Sequence, residues 1–314
     1  MNNDSFFFDV STTPRSFIRR GVLSVVNSLF DPIGFLAPIT IQGKLILRNL
    51  MNGTTDWDEP LPPDKLSEWV TWKDSLVQLK HVHIPRCYST ESLSQASKVE
   101  LHVFCDASEF AIAAVSYLVI YSTDYSRHIS FVMGKAKVAP ASGHTIPRLE
   151  LCAAVLAVQI SEIVMDNIGI KFHDINYYSD SRIVLGYLYN ISKRFMTYVS
   201  NRVEKVRKIN RPDQWNYIST QLNPADIGTR GIHVDKIQDS LWLVGRVVEV
   251  FPSQDGKMRK IKVAISRNGK LHYYIRPIVN IVLLVTNDSY FLNNNECVSY
   301  SIKDYRIRIY KHVN

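Results

Sequence analysis

Cysteine is scarce in this chain, and what there is lies apart. Among 314 residues there are four, Cys87, Cys105, Cys152 and Cys297, with no Cys-x-x-Cys or Cys/His cluster. This argues against a zinc site and makes reduced thiols in an intracellular setting the expectation. Long apolar runs are also missing. None reaches the roughly 18 residues a membrane span requires, so no transmembrane helix and no membrane partner are expected. The N-terminal MNNDSFFFDV has no basic segment and carries an acid early, unlike a secretory signal. No Tyr-x-Asp-Asp string and no adjacent Asp-Asp pair occurs, which excludes a polymerase palm. Asp-Thr-Gly and Asp-Ser-Gly are absent too, so an aspartic protease has no nucleophile pair.

What is present is ordinary in bulk, with 46% apolar and 21% charged residues, and the length suits two domains or three small ones. Net charge is +8, distributed unevenly. From Gly245 to Asn314 there are 12 Lys/Arg against 5 Asp/Glu, so nearly all the excess lies in the last quarter. A balanced body with a basic end suits either a polyanion-binding appendage or simple solubility.

Periodicity divides the chain into three blocks and a tail. Residues 1–96 read as a helical connector. Val22, Val25, Val26 and Leu29 have helical spacing up to Asp31-Pro32, and further helices are expected over 39–50 and 65–79, on either side of the proline-rich WDEPLPPDK. Trp57, Trp69 and Trp72 read as packing residues. Residues 97–232 alternate strands (101–105, 111–120, 129–138, 175–179, 215–219) with helices (145–167, 182–189, 195–209 and one opened by Pro224). That pattern predicts an α/β domain, a mixed sheet with helices packed on it. Residues 241–285 contain short apolar segments separated by Asp-Gly and Asn-Gly turns, which predict a small β-rich, barrel-like module. The tail, 286–314, is Asn-rich and then basic.

Four acids stand out by position. In LHVFCDAS, His102, Phe104 and Asp106 share one face of a strand and Val103 and Cys105 the other, which leaves Asp106 where the strand meets a turn. A lone aspartate there is usually a turn former. RLELCAAV, however, puts Glu150 early in a long helix, YYSDSRIVL puts Asp180 after another strand, and NPADIGTRG puts Asp226 at a helix start. If the two strands are neighbours, all four acids can meet at one sheet edge. Carboxylates so close raise one another's pKa and call for cations. An oxygen-only set suits magnesium or manganese, and a pair of such ions is a standard device for attack of water on a phosphodiester.

The order Asp–Glu–Asp–Asp on strand, helix, strand and helix resembles ribonuclease H. FCDAS, PRLELCAA, YSDSRIVLGYL, VSNRVEKV and NPADIGTRG resemble the RNase H segment of BEL/Pao retrotransposon polyproteins. Upstream, VLSVVNSLFDPIGFLAPITIQGKLILRNL, DWDEPLP and IPR resemble the segment joining reverse transcriptase to RNase H in that family. Downstream, GRVVEVFPSQDGKMRKIKV and IRPIVNIVLL resemble the small β domain that follows the integrase there. The likeness covers about residues 18–285.

It implies an RNase H-like mixed five-stranded sheet with flanking helices, between a helical connector and a small β module. It implies that Asp106 bridges two Mg2+ or Mn2+ ions. Glu150 and Asp180 would hold the ion on the leaving-group side, and Asp226 would complete the site of the one that activates water. Arg230 and Asn223 are expected to support Asp226 or contact phosphate, with a capping role for Asn223 as the alternative. Ser108 and Ser181 are read either as contacts to the nucleic-acid backbone or as local turn hydrogen bonds.

The expected partner is an RNA/DNA hybrid, with the basic module binding DNA or RNA, in cytoplasm, nucleus or a virus-like particle. The integrase core and its zinc-binding cluster are missing between GTRGIHVDKIQDSLWL and LVGRVVEV, and no His lies between Asn210 and Asp226 where many RNases H carry one. The competing reading is a silent nucleic-acid-binding remnant, with any DNA-integration association resting on the C-terminal module. An integrase core is disfavoured because its glutamate follows the second aspartate, whereas Glu150 precedes Asp180.

Overall fold

The computed structural model describes residues 4–10, 15–50, 56–89, 93–121, 127–140, 143–192 and 194–243, and beyond these only the backbone of the strands in 249–309. In chain order the elements are β1 (Ser5–Phe6), α1 (Arg19–Ser28), α2 (Ala37–Leu50), α3 (Leu66–Ser75), β2 (Ile84–Pro85), β3 (Lys98–Ala107), β4 (Ala111–Tyr121) and β5 (Arg127–Val138). There follow α4 (Ile146–Asn167), β6 (Asp174–Ser179), α5 (Arg182–Tyr189), α6 (Thr197–Arg207), β7 (Trp215–Tyr217) and α7 (Ala225–Arg230). The last strands are β8 (Glu249–Pro252), β9 (Met258–Arg267), β10 (Lys270–Pro277), β11 (Val298–Ile302) and β12 (Tyr305–Ile309).

The near-continuous apolar character of β3 and β4 is that of strands covered on both faces. They lie inside a mixed five-stranded sheet of order β5-β4-β3-β6-β7, the expected RNase H-like architecture. β3–β4 and β4–β5 pair antiparallel, and β3–β6 and β6–β7 pair parallel. On one face, Leu101, Val103 and Cys105 pack against α4 through Leu151, Ala154 and Val158, with Val203 and Val206 of α6 in the same core. On the other, Phe104, Ala113, Val115 and Tyr117 share a core with Val22 and Val26 of α1, Ile39 and Ile46 of α2, and Trp242. The helical connector and the sheet thus bury one another's apolar faces.

Trp242 closes that second core. It is fully buried, its indole N–H donates to the Gly34 carbonyl at 3.2 Å, and the Tyr117 hydroxyl donates to its own carbonyl at 2.7 Å. The residues around 233–243 therefore pack with the sheet. Gly34 has φ +85°, and a Cβ there would lie 1.8 Å from the Gly134 carbonyl oxygen, so the turn before α2 can press against β5 only as glycine. Asp31 shapes the same turn, accepting N–H bonds from Gly34 (3.0 Å), Phe35 (2.9 Å) and Leu36 (2.7 Å).

Several boundaries differ from expectation. α2 begins at Ala37, two residues before the predicted start, while the helix predicted over 65–79 ends as α-helix at Ser75 and continues as a 3-10 turn, Leu76–His81. Trp69 and Trp72 are buried, whereas Trp57 is 36% exposed. β1 and β2 pair antiparallel across almost eighty residues, in a region read only as connector. In the C-terminal part, β8, β9 and β10 form a three-stranded antiparallel meander of order β10-β9-β8, and β11–β12 a separate hairpin within the predicted tail. Among the described residues these strands form an open meander, and the expected barrel is not closed. The apolar run at 278–285 lies outside them.

Candidate metal centre

Parallel pairing of β3 with β6 decides where the acids go. Cys105 is opposite Ser179, so Asp106 and Asp180, one residue further along each strand, emerge side by side at the same end of the sheet. α4 crosses this end with Glu150 in its second turn, on the helix face that also carries buried Ala153 and Ala154. Asp106, Glu150 and Asp180 each present a carboxylate oxygen, and these oxygens all lie within 4.8 Å of one another. Asp106 and Glu150 are buried, at 4% and 8% exposure.

Asp226 comes from α7, which lies on β3 and β4. A Cβ at Gly228 would meet the Trp242 ring at 2.6 Å and the Ala113 Cβ at 2.7 Å, so glycine lets the helix sit this close to the sheet. The Asp226 carboxylate accepts from Arg230 Nε at 2.7 Å, one helical turn on. It stands within electrostatic reach of Asp106 and Asp180, but its oxygens are not among the three that converge.

The hydrogen-bond inventory is unbalanced. Asp106 Oδ2 accepts from the Thr229 hydroxyl at 2.5 Å, and Asp180 Oδ2 accepts from Thr220. Glu150 Oε2 and Asp180 Oδ1 are buried and have no hydrogen-bond partner among the described residues. Burying carboxylates together without a counter-charge favours their neutral forms. Burial, then the nearby Asp106 and Asp180 charges, pushes Glu150 up to about 9. Burial pushes Asp106 up to about 7 against the Thr229 hydrogen bond, with Asp180 and Asp226 adding to the rise. Asp226 is raised by burial and pulled back by Arg230, and the Cys105 thiol is driven up by burial and by the three converging acids. Two orphaned buried oxygens in an all-oxygen donor set fit a hard divalent cation such as magnesium or manganese.

The remaining predicted residues hold backbone. Ser108 Oγ accepts from Phe110 N at 3.2 Å and Ala111 N at 3.1 Å, which shapes the β3–β4 turn. Ser181 Oγ accepts from Val184 N at 3.3 Å as the N-cap of α5. Asn223, 1% exposed, donates to the Cys105 carbonyl at 2.9 Å and accepts from Ala225 N at 3.2 Å, tying the start of α7 to β3. Arg230 alone of these four projects outward, with its side chain 68% exposed. Thr229 and Thr220 were not singled out in the sequence. Thr229 stands three residues after Asp226, a spacing that puts both on one side of a helix, and that was the available signal. Thr220 had none.

Residues 18–181 match the Pao retrotransposon-like RNaseH-like domain family, and residues 191–284 match a family of unknown function (DUF5641). No curated protein matches the sequence. Among solved structures, RNase H1 from the halophilic archaeon Halobacterium salinarum is 18% identical, covering 46% of this chain and 98% of its own, with a TM-score of 0.29. LC11-RNase H1 in complex with an RNA/DNA hybrid is 12% identical, covering 46% and 93%, at 0.24. A foamy viral protease-reverse transcriptase in complex with double-stranded DNA is 13% identical, covering 66% and 32%, at 0.35. The fold assignment rests on the strand order described above, and the family on the first match, which spans more than half of the chain. The chain belongs to the Pao retrotransposon-like RNaseH-like domain family.

Proposed function

We propose that this chain hydrolyses the RNA strand of an RNA/DNA hybrid at the acidic end of its sheet, with Asp106, Glu150, Asp180 and Asp226 as catalytic residues and metal ligands. One observation carries this reading: three carboxylates converge within 4.8 Å, and two of their buried oxygens have no partner among the described residues. A purely structural acid would be paired, since an unpaired buried charge costs several kcal/mol.

Two magnesium or manganese ions, when bound, supply the positive charge that phosphodiester hydrolysis requires and lower the pKa of water. Asp106, central and buried, would hold both ions, and the Thr229 hydroxyl donates to its carboxylate. Glu150 and Asp180 serve the leaving-group side through their free oxygens. Asp226 serves the water side, and Arg230 draws its carboxylate toward the ionised form. The exposed Arg230 guanidinium also suits a phosphate contact. Ser108, Ser181 and Asn223 act through the turns and caps they hold, which set the positions of Asp106, Asp180 and Asp226. Choice of the RNA strand would come from contacts to 2′-hydroxyls and from duplex shape.

The test is cleavage of a labelled RNA/DNA hybrid by the purified full chain in magnesium and in manganese. Metal-dependent cutting of the RNA strand alone, lost in Asp106→Asn, supports the reading. Hybrid binding without cleavage in either metal would replace it with a silent nucleic-acid-binding protein.

A further inference from the structure

A second charged feature lies outside the acidic site. Where the turn between α1 and α2 meets β5, a cleft of about 520 Å3 opens, lined by Asn27, Asp31, Lys44, Lys135 and Lys137. β5 is the outermost strand of its sheet, so this is a sheet edge rather than an interior. Lys44 on α2 is partly buried, while Lys135 and Lys137 on β5 are exposed.

The lysines form a row. Lys44 is close enough to Lys135 to feel its charge, Lys137 feels Lys135, and Lys205 on α6, which packs on the sheet face opposite to α2, reaches Lys137. Burial, with a smaller contribution from like charges, depresses Lys44 and Lys137 from the ordinary lysine range, although Asp31 opposes the shift at Lys44. None of the four lysines has an ion-pair partner among the described residues. Asp31, the acid lining the cleft, is committed to three backbone N–H groups. Uncompensated cations converging on an edge cleft cost free energy until an anion arrives.

Sheet register places this row relative to the acids. Asp106 is opposite Ala113 on β4, and Ala113 is opposite Ala136 on β5. Lys135 and Lys137 flank Ala136, so their backbone positions stand level with Asp106 two strands away, about 10 Å at the usual strand spacing. By strand alternation their side chains lie on the α4 side of the sheet, the side from which Glu150 reaches the site. A polyanion lying across the end of the sheet at Asp106 meets the lysine row next.

We infer that Lys44, Lys135, Lys137 and Lys205 form a binding track for the phosphate backbone of a nucleic acid, carrying the substrate of the acidic site over the edge strand toward the helical connector. Its link to that substrate rests on the hydrolase reading; binding itself does not. The track makes the connector part of the substrate-binding surface.

The experiment measures binding of a labelled RNA/DNA hybrid to the full chain in an Asp106→Asn background, across a salt series. Lys44→Ala/Lys135→Ala/Lys137→Ala is compared with Lys171→Ala/Lys208→Ala/Lys236→Ala, three exposed lysines elsewhere. The track variant should weaken binding about 10- to 100-fold near 0.1 M salt. It should also flatten the slope of log K against log salt by about 2, as expected for the loss of two to three phosphate contacts. The control variant should show neither change. Because Lys44 is partly buried, Lys135→Glu/Lys137→Glu provides a second reading from exposed positions only. Unchanged affinity and slope in both track variants, or an equal loss in the control, would overturn the inference. If the parent chain shows no cleavage yet the track variants still lose binding, the hydrolase reading fails and the track stands.

Discussion

Strand β3 carries a buried carboxylate near each end, and the fold treats them oppositely. Glu100 is 7% exposed and fully engaged: Lys98 at 2.5 Å, His102 at 2.9 Å and the Tyr121 hydroxyl at 3.1 Å all reach it. Its pKa is lowered to about 2, chiefly by the His102 hydrogen bond, which outweighs burial. Asp106, six residues on and 4% exposed, has one neutral donor and three acidic neighbours, Glu150, Asp180 and Asp226, and is pushed up to about 7. The same strand, similarly buried at both ends, thus holds one acid that the protein has neutralised itself and one that it has left for something else to neutralise. That difference separates a structural ion pair from a candidate site more sharply than burial or acidity alone.

The largest expected effect is the loss of the uncompensated end. Asp106→Asn should lower cleavage of a hybrid by about a thousandfold or more, roughly 4 kcal/mol on the barrier. Removing a charge that repels its neighbours should leave thermal stability equal or higher. A variant that cleaves normally, or unfolds, would put Asp106 in the same class as Glu100. Glu100→Ala should behave inversely. It removes the carboxylate that His102 and Lys98 share, although Lys98 keeps Asp174 at 3.1 Å. The change should cost about 3 kcal/mol of stability, the low end for breaking a buried pair. Hybrid cleavage at a permissive temperature should persist. Chemical denaturation and a cleavage assay on both variants complete the cross-check.

pH separates the two ends by sign. Glu100, depressed in the folded state, contributes stability that is present above its ordinary pKa of 4.5 and is lost as pH falls toward 2. Glu150 and Asp106 are raised, so their protonated forms favour the fold. That contribution is complete below about pH 4 and is lost as pH rises through 7 for Asp106 and 9 for Glu150. In a chelator, the melting temperature should therefore fall by several degrees between pH 5 and pH 9. Magnesium should reverse most of that fall, with a larger stabilisation at pH 8 than at pH 5, and Glu150→Gln should flatten the chelator curve. A magnesium effect independent of pH would contradict a site built from these carboxylates.

Much of this contrast was legible from local pattern. Alternation in LHVFCDAS placed Asp106 at a strand end, and the helical stripe through 145–167 placed Glu150 near the start of α4. Their convergence with Asp180 follows once β3 and β6 pair in parallel. Contacts made at long range by residues without periodicity could not be read. Ser5–Phe6 against Ile84–Pro85 is too short to show alternation. Trp242 is buried from an irregular segment, and its partners Gly34 and Tyr117 are far from it in the chain. Compensation at Glu100 was missed for a related reason: Tyr121 meets it across a strand pair, and a donor list cannot be read from one strand.

The smallest effect tests one hydroxyl donor at each end. Thr229 gives Asp106 its hydroxyl hydrogen bond, and Tyr121 gives one to Glu100. Tyr121→Phe removes one of three partners and should cost about 1 kcal/mol of stability with no change in cleavage. Thr229→Val removes the one side-chain donor to Asp106 among the described residues while keeping the shape of the side chain. It should leave stability within about 1 kcal/mol but lower cleavage or magnesium affinity 10- to 100-fold, the usual effect of losing a group that orients a metal ligand. Thr229→Ser keeps the hydroxyl and should restore most of the lost activity, which a packing role for the methyl group would not allow. If Thr229→Val and Tyr121→Phe both change stability alone, the two ends of β3 are alike and the distinction drawn from Asp106 fails.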